Sequence, residues 1–147
     1  MLELLMVVAI IGVLSAIILA ALSSARSRGN DGAVKSNLRN AISQGEVFYN
    51  TNTVAVNTYT SVCTNGVVGG AKGVGELVLT AAKVSGLSSY ATNATGTLTT
   101  ATCNDSANAW AAEVPLKSAG ANQMWCVDSS GKSKQESASI GAGTACA

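Results

Sequence analysis

The chain has 147 residues, enough for one domain with an extension. Charged residues are 12% of it and the formal charge is +1, so it lacks the clustered Lys and Arg of a nucleic-acid footprint. It contains no histidine, and Asp105, Glu113 and Asp128 lack the spacing of a catalytic carboxylate pair. The sequence therefore predicts no enzyme, cofactor or metal site.

Glu3 is the only charged residue in the first twenty-five, and it opens an apolar run from Leu4 to Leu22 interrupted by Gly12 and Ser15. Nineteen such residues make a helix of roughly 28 Å, about the thickness of a bilayer core. An acid at the mouth of that segment is costly in lipid and needs a partner. A conventional secretion signal has a basic leading region; here the basic residues, Arg26 and Arg28, follow the run. Retained on the cytoplasmic side, they would place the remainder of the chain inside the cell. The cysteines beyond residue 60 argue for the opposite side and weigh more.

No proline occurs from Leu2 to about Tyr49, so one helix of roughly 48 residues and about 70 Å is expected. Ala33, Val34, Leu38, Ala41, Ile42, Gly45 and Phe48 recur at three- and four-residue steps and form an apolar stripe. Arg28, Asp31, Lys35, Arg39, Gln44 and Glu46 make the opposite face, with Asp31 and Lys35 spaced as an i,i+4 ion pair. Gly29, Asn30 and Gly32 weaken the middle, where a bend or a melted stretch is expected. Gly12 reads either as a small residue permitting close helix contact or as a point where the helix loosens. Residues 1–27 are thus an apolar stem, and residues 28–147 a head that includes the amphipathic part of the helix.

The run Glu3-Leu4-Leu5-Met6-Val7-Val8-Ala9-Ile10-Ile11-Gly12-Val13-Leu14-Ser15-Ala16-Ile17 resembles the mature N-terminus of type IV pilins and pseudopilins. The likeness is close over residues 1–28, looser to about residue 50, and beyond that extends only to a variable head with disulfides. It implies an inner-membrane precursor cut by a prepilin peptidase, N-methylated, and polymerised by pilus assembly machinery into an extracellular helical filament. Glu3 would neutralise the α-amine of a neighbouring subunit. Leu4, Leu5, Val8 and Ile11 would pack in the filament core, and Gly12 would fall where family helices unwind. Family members usually carry four residues before the acid and often a kinking proline where this chain has Ala20. Two preceding residues missing from this sequence, or a different amine–acid geometry, and a straighter stem are the corresponding expectations.

Physical chemistry points the same way. Stems withdrawn from lipid bury their side chains against one another, each leucine-sized residue contributing about 1.5–3 kcal/mol. A buried Glu3 then needs a compensating cation, and a head-to-tail contact that never closes yields a filament. The leading expectation is a structural subunit of a type IV pilus. The alternatives are a pseudopilin or minor pilin of type II secretion or DNA uptake, and a monomeric, single-span anchored binding domain.

In the head, Asn50–Asn57 reads as the helix breaker, residues 54–62 as a short extended piece, and Cys63–Gly75 as a glycine-rich loop. Glu76–Val84 reads as a short helix. Strands are expected at Thr97–Cys103, Asn108–Leu116, Gln123–Asp128 and Lys132–Glu136, with a turn at Lys117–Asn122 centred on Gly120. The fold class is α+β: a long N-terminal helix packed by its C-terminal half against a small antiparallel sheet. Trp110 and Trp125 are expected in its core, there being a single phenylalanine, with a surface binding pair as the alternative. So thin a core calls for staples, and Cys63, Cys103, Cys126 and Cys146 permit three pairings. Spacing favours Cys63–Cys103 and Cys126–Cys146, each closing a local block, with the other pairings and four reduced thiols as alternatives. Asn93-Ala94-Thr95 and Asn104-Asp105-Ser106 match the N-glycosylation acceptor, a triplet that also arises by chance in so Asn/Thr-rich a chain.

Overall fold

In the computed structural model, which describes residues 2–118, 120 and 122–147, a single helix α1 runs from Leu2 to Thr51. Its 50 residues span about 75 Å. The stripe buried in the head is Val34, Leu38, Ala41, Gly45 and Phe48, at alternating steps of four and three. The helix ends where Asn52 turns its carboxamide oxygen back to the amides of Val54 and Ala55, at 2.9 and 3.1 Å.

The expected weakness at Gly29-Asn30-Gly32 does not interrupt α1. Asp31 explains why. Instead of pairing with Lys35 on the outer face, it is buried and accepts the amides of Lys117 and Ser118 at 2.7 and 2.9 Å, and the Ser118 hydroxyl as well. Charge-assisted bonds of this kind offset the low propensity of the flanking glycines. Lys35 lies over the Trp125 ring instead, 4.8 Å from its centroid, with the Arg39 guanidinium at 5.6 Å.

Beyond α1, residues 54–62 form bends and turns rather than the expected extended piece, with Asn57 and Ser61 at positive φ. The glycine-rich stretch contains a hairpin, β1 (Val67–Val68) and β2 (Ala71–Lys72), joined by Gly69-Gly70 at φ +55° and +80°. A two-residue Gly-Gly connection between apolar residues is the sequence signature of that turn. Helix α2 follows at Gly75–Val84, as the sequence predicts within one residue.

The sheet has five strands in sequence order: β3 (Ala91–Thr92), β4 (Thr102–Asp105), β5 (Trp110–Pro115), β6 (Met124–Asp128) and β7 (Ser133–Glu136). β4 to β7 form an antiparallel meander, while β3 pairs parallel to β4, so the sheet is mixed rather than purely antiparallel. Pro115 closes β5, as expected of a residue unable to donate to the ladder. β4 begins five residues later than predicted because Thr97 to Thr100 form a turn. Their hydroxyls compete for the backbone there: Thr97 N–H donates to Thr100 Oγ1 at 3.0 Å, and Thr100 N–H to the Thr97 carbonyl at 3.2 Å. The turn predicted at 117–122 includes residues 119 and 121, which lie outside the described residues, as does residue 1 of the stem.

One face of the sheet carries Cys103, Trp110, Ala112, Val114, Trp125 and Val127 and packs under α1 and α2. Both tryptophans are buried there, Trp110 completely. Seating Trp110 requires a glycine on the helix, since a Cβ at Gly45 would lie 2.7 Å from the indole nitrogen. The second face is buried as well, beneath the C-terminal segment 137–147. That segment has no regular structure, yet several bonds hold it. Asn104 Nδ2 donates to the carbonyls of Gly141 and Gly143 at 3.0 and 3.2 Å, and Gly96 N–H donates to Gly141 at 2.9 Å. Two disulfides join Cys63 to Cys103 and Cys126 to Cys146, with Cα separations of 5.6 and 5.9 Å, the pairing favoured by spacing.

Candidate functional site

The residues expected from the sequence to carry assembly lie on the stem, and there the structure leaves them bare. Glu3 sits in the first turn of α1, where the helix dipole favours an acid. Among the described residues it makes no ion pair. Leu4, Leu5, Val8 and Ile11 are 74, 73, 61 and 58% exposed, and beyond its chain neighbours and the surrounding helix backbone a Cβ built on Gly12 meets nothing within 4 Å among the described residues. Leu4, Leu5 and Val8 share a shallow groove with Ala9. The stem is apolar all round, with a mean hydropathy of 3.0 over its best eighteen-residue window, and it meets the length and composition of a membrane span. An apolar surface of this extent marks a contact with lipid or protein. The fold brings none of these six residues against the head.

The head's polar residues are engaged in holding loops. Asp105 accepts the amides of Ser61 and Cys63 at 3.2 and 2.9 Å, fixing the segment that carries the first disulfide. Asp128 turns the 128–132 loop by accepting Ser130 N–H at 2.9 Å and Lys132 N–H at 3.2 Å, and it accepts Cys146 N–H at 3.0 Å. Burial opposes its ionisation, but the Ser130 hydroxyl and these amides outweigh it and leave the carboxyl below its usual range. Glu113, fully buried in the centre of the sheet, accepts the Ser139 hydroxyl and the Ile140 amide, the latter at 2.9 Å. For it burial prevails over both bonds, and its carboxyl is raised. The Tyr59 phenol is buried, donates to Glu46 at 2.7 Å and is pushed up to about 12.

Two sequence readings meet this arrangement directly. The Asn93 side chain accepts the Asp105 amide at 2.7 Å and donates to the Asp105 carboxylate at 3.3 Å. Asn104 is buried, with its nitrogen shared between two carbonyls. Neither acceptor nitrogen is free in the folded head. Asp105, Glu113 and Asp128 each serve separate loops.

Sequence reasoning missed one cluster. Cys126 and Cys146 share the second face with Glu136, and one potential ligand atom from each lies within 4.8 Å of the others. The residue numbers give no hint of it, because neighbouring strands and the C-terminal segment bring the three together. No protein family, no curated protein and no solved structure matches the chain.

Proposed function

We propose that this chain is a structural, non-catalytic subunit that polymerises through its stem into an extracellular type IV pilus. One observation carries the reading. A pilin-like architecture leaves the whole described apolar half of a 50-residue helix exposed, while its other half is sealed into a stapled head. A monomer in water cannot keep thirteen large apolar side chains of the stem solvated at about 1.5–3 kcal/mol each. The stem therefore resides in the inner membrane before assembly and in a bundle of stems afterwards. In that bundle Glu3 is matched by the α-amine of a neighbouring chain, and Gly12 admits a close neighbour. Processing by a prepilin peptidase and delivery by pilus assembly machinery belong to the same reading.

The test compares membrane insertion with filament yield in sheared surface fractions. Glu3→Ala is expected to insert normally and to abolish filaments, and Gly12→Leu to reduce filaments far more than insertion. Wild-type filament levels in Glu3→Ala, or a chain that stays monomeric in the membrane, would refute the proposal.

A further inference from the structure

Between the Cys63 disulfide and the β1–β2 hairpin the chain makes a bend through Asn65 and Gly66. Asn65 is exposed, and it is the one asparagine of the sequence that precedes a glycine. Among the described residues neither its carboxamide nor the Gly66 N–H has a hydrogen-bond partner. Gly66 is tied to the hairpin through its carbonyl alone, which accepts Gly73 N–H at 3.1 Å. Its φ of +144° suits a residue without a Cβ, and a Cβ built there would meet nothing within 4 Å. An electrophilic carboxamide and an unengaged, unshielded amide nitrogen are therefore neighbours in an open bend.

We propose that Asn65–Gly66 is a modification site at which the head deamidates and isomerises its own backbone without an enzyme. The Gly66 nitrogen gives up its proton to hydroxide and attacks Cγ of Asn65. A C–N bond forms, the side-chain nitrogen leaves as ammonia, and a five-membered succinimide ring remains. Water then opens the ring at one of its two carbonyls. Attack at Cγ breaks the new bond and leaves aspartate in the original backbone. Attack at the main-chain carbonyl breaks the old peptide bond and leaves isoaspartate, with the chain running through the side-chain carbon. The sum is asparagine plus water giving the acid plus ammonia, with no oxidant or reductant.

The fold confines this chemistry to one place. Asp31-Gly32 could close the same ring, but Gly32 lies inside α1 and the Asp31 carboxylate is held by the Lys117 and Ser118 amides. Asn30, Asn37, Asn40 and Asn50 are helical too. The Asn52 oxygen holds the Val54 and Ala55 amides, while Asn93 and Asn104 hold parts of the head together. Asn57, Asn108 and Asn122 precede Thr, Ala and Gln, whose Cβ atoms crowd the attacking nitrogen. At Asn65 the product acid takes the formal charge from +1 to zero, nine cations against nine acids. The isoaspartyl form also lengthens the main chain by one carbon. Upstream, the disulfide and the Val74 N–H bond to the Val62 carbonyl at 2.7 Å hold the chain fixed. The added length is therefore absorbed at the Gly73–Gly66 bond, which opens.

The experiment incubates the oxidised full chain in detergent micelles from mildly acidic to mildly alkaline pH. Peptide mapping by mass spectrometry follows every asparagine, with electron-transfer fragmentation to separate aspartate from isoaspartate. Asn65 is expected to convert about tenfold or more faster than Asn57 or Asn108, because glycine alone leaves the attack unobstructed. Both products should appear, and the rate should rise about tenfold per pH unit as the amide anion becomes more abundant. Asn65→Gln, which must close a larger ring, should stay unmodified over the same period. Amide hydrogen exchange at Gly73 should quicken in the aged wild type and stay unchanged in aged Asn65→Gln. An intact Asn65, a rate equal to that of Asn57 or Asn108, aspartate without isoaspartate, or a rate indifferent to pH would each overturn the proposal. Unchanged Gly73 exchange in isomerised protein would overturn the opening of the hairpin bond.

Discussion

Gly45→Ala tests whether the head is assembled around the contact between α1 and Trp110. Two effects oppose each other. Alanine is better than glycine inside a helix by about 1 kcal/mol. At Gly45, however, the new Cβ would lie 2.7, 2.8 and 2.9 Å from Nε1, Cζ2 and Cε2 of a fully buried indole, a rigid plane with no flexible end to yield. Overpacking of that kind costs about 1–3 kcal/mol. Gly29 and Gly32 lie in the same helix with nothing within 4 Å of their Cβ positions. Gly32→Ala should therefore stabilise the chain by about 1 kcal/mol, and Gly45→Ala should fall about 1–3 kcal/mol below it. The propensity gain cancels in the comparison, which isolates the indole contact. Thermal unfolding in detergent, followed by tryptophan fluorescence, reads a difference of this size as roughly 4 °C per kcal/mol. Trp110→Phe in the Gly45→Ala background should recover part of the loss, giving a positive coupling in a double-mutant cycle. Equal melting temperatures for Gly45→Ala and Gly32→Ala would refute the packing argument.

Asp31→Ala leaves the Lys117 and Ser118 amides without their acceptor and should cost about 2–3 kcal/mol in denaturant unfolding, while Lys35→Ala should cost much less. The two perturbed carboxyls act in opposite directions with pH. Glu113, raised above the ordinary carboxyl value of 4.5 by burial, contributes stability that is full below that pH and is lost as pH rises through its raised value. Melting temperature should therefore fall from mildly acidic to neutral pH in wild type relative to Glu113→Gln. Asp128, lowered below 3.8, contributes stability present above that pH and lost as pH falls through its lowered value, so Asp128→Asn should flatten the acid limb of the same curve. Cys146→Ser opens a loop of 20 residues and Cys103→Ser one of 40, with expected losses of about 3 and about 4 kcal/mol by loop-closure entropy, measurable as shifts in denaturant midpoint.

Local chemistry wrote the helix and the placement of its two halves into the sequence. The stem is apolar at every angle and so cannot choose a face, whereas Val34, Leu38, Ala41, Gly45 and Phe48 recur at helical spacing and commit one face to the head. Strands β5, β6 and β7 were legible for the same reason, each being a run of β-compatible residues between turn formers. The edge strand β3 was not, because two residues carry no period. Nor was the register that sets the polar residues of the second face side by side, since cross-strand neighbours are remote in sequence. Asp31 shows the limit most clearly: helical spacing offers it Lys35, but two amides 86 and 87 residues away outcompete an exposed ion pair once tertiary packing has removed the water. What surrounds Glu136 was likewise decided by the fold alone, because a disulfide and two strands from separate stretches of chain enclose it.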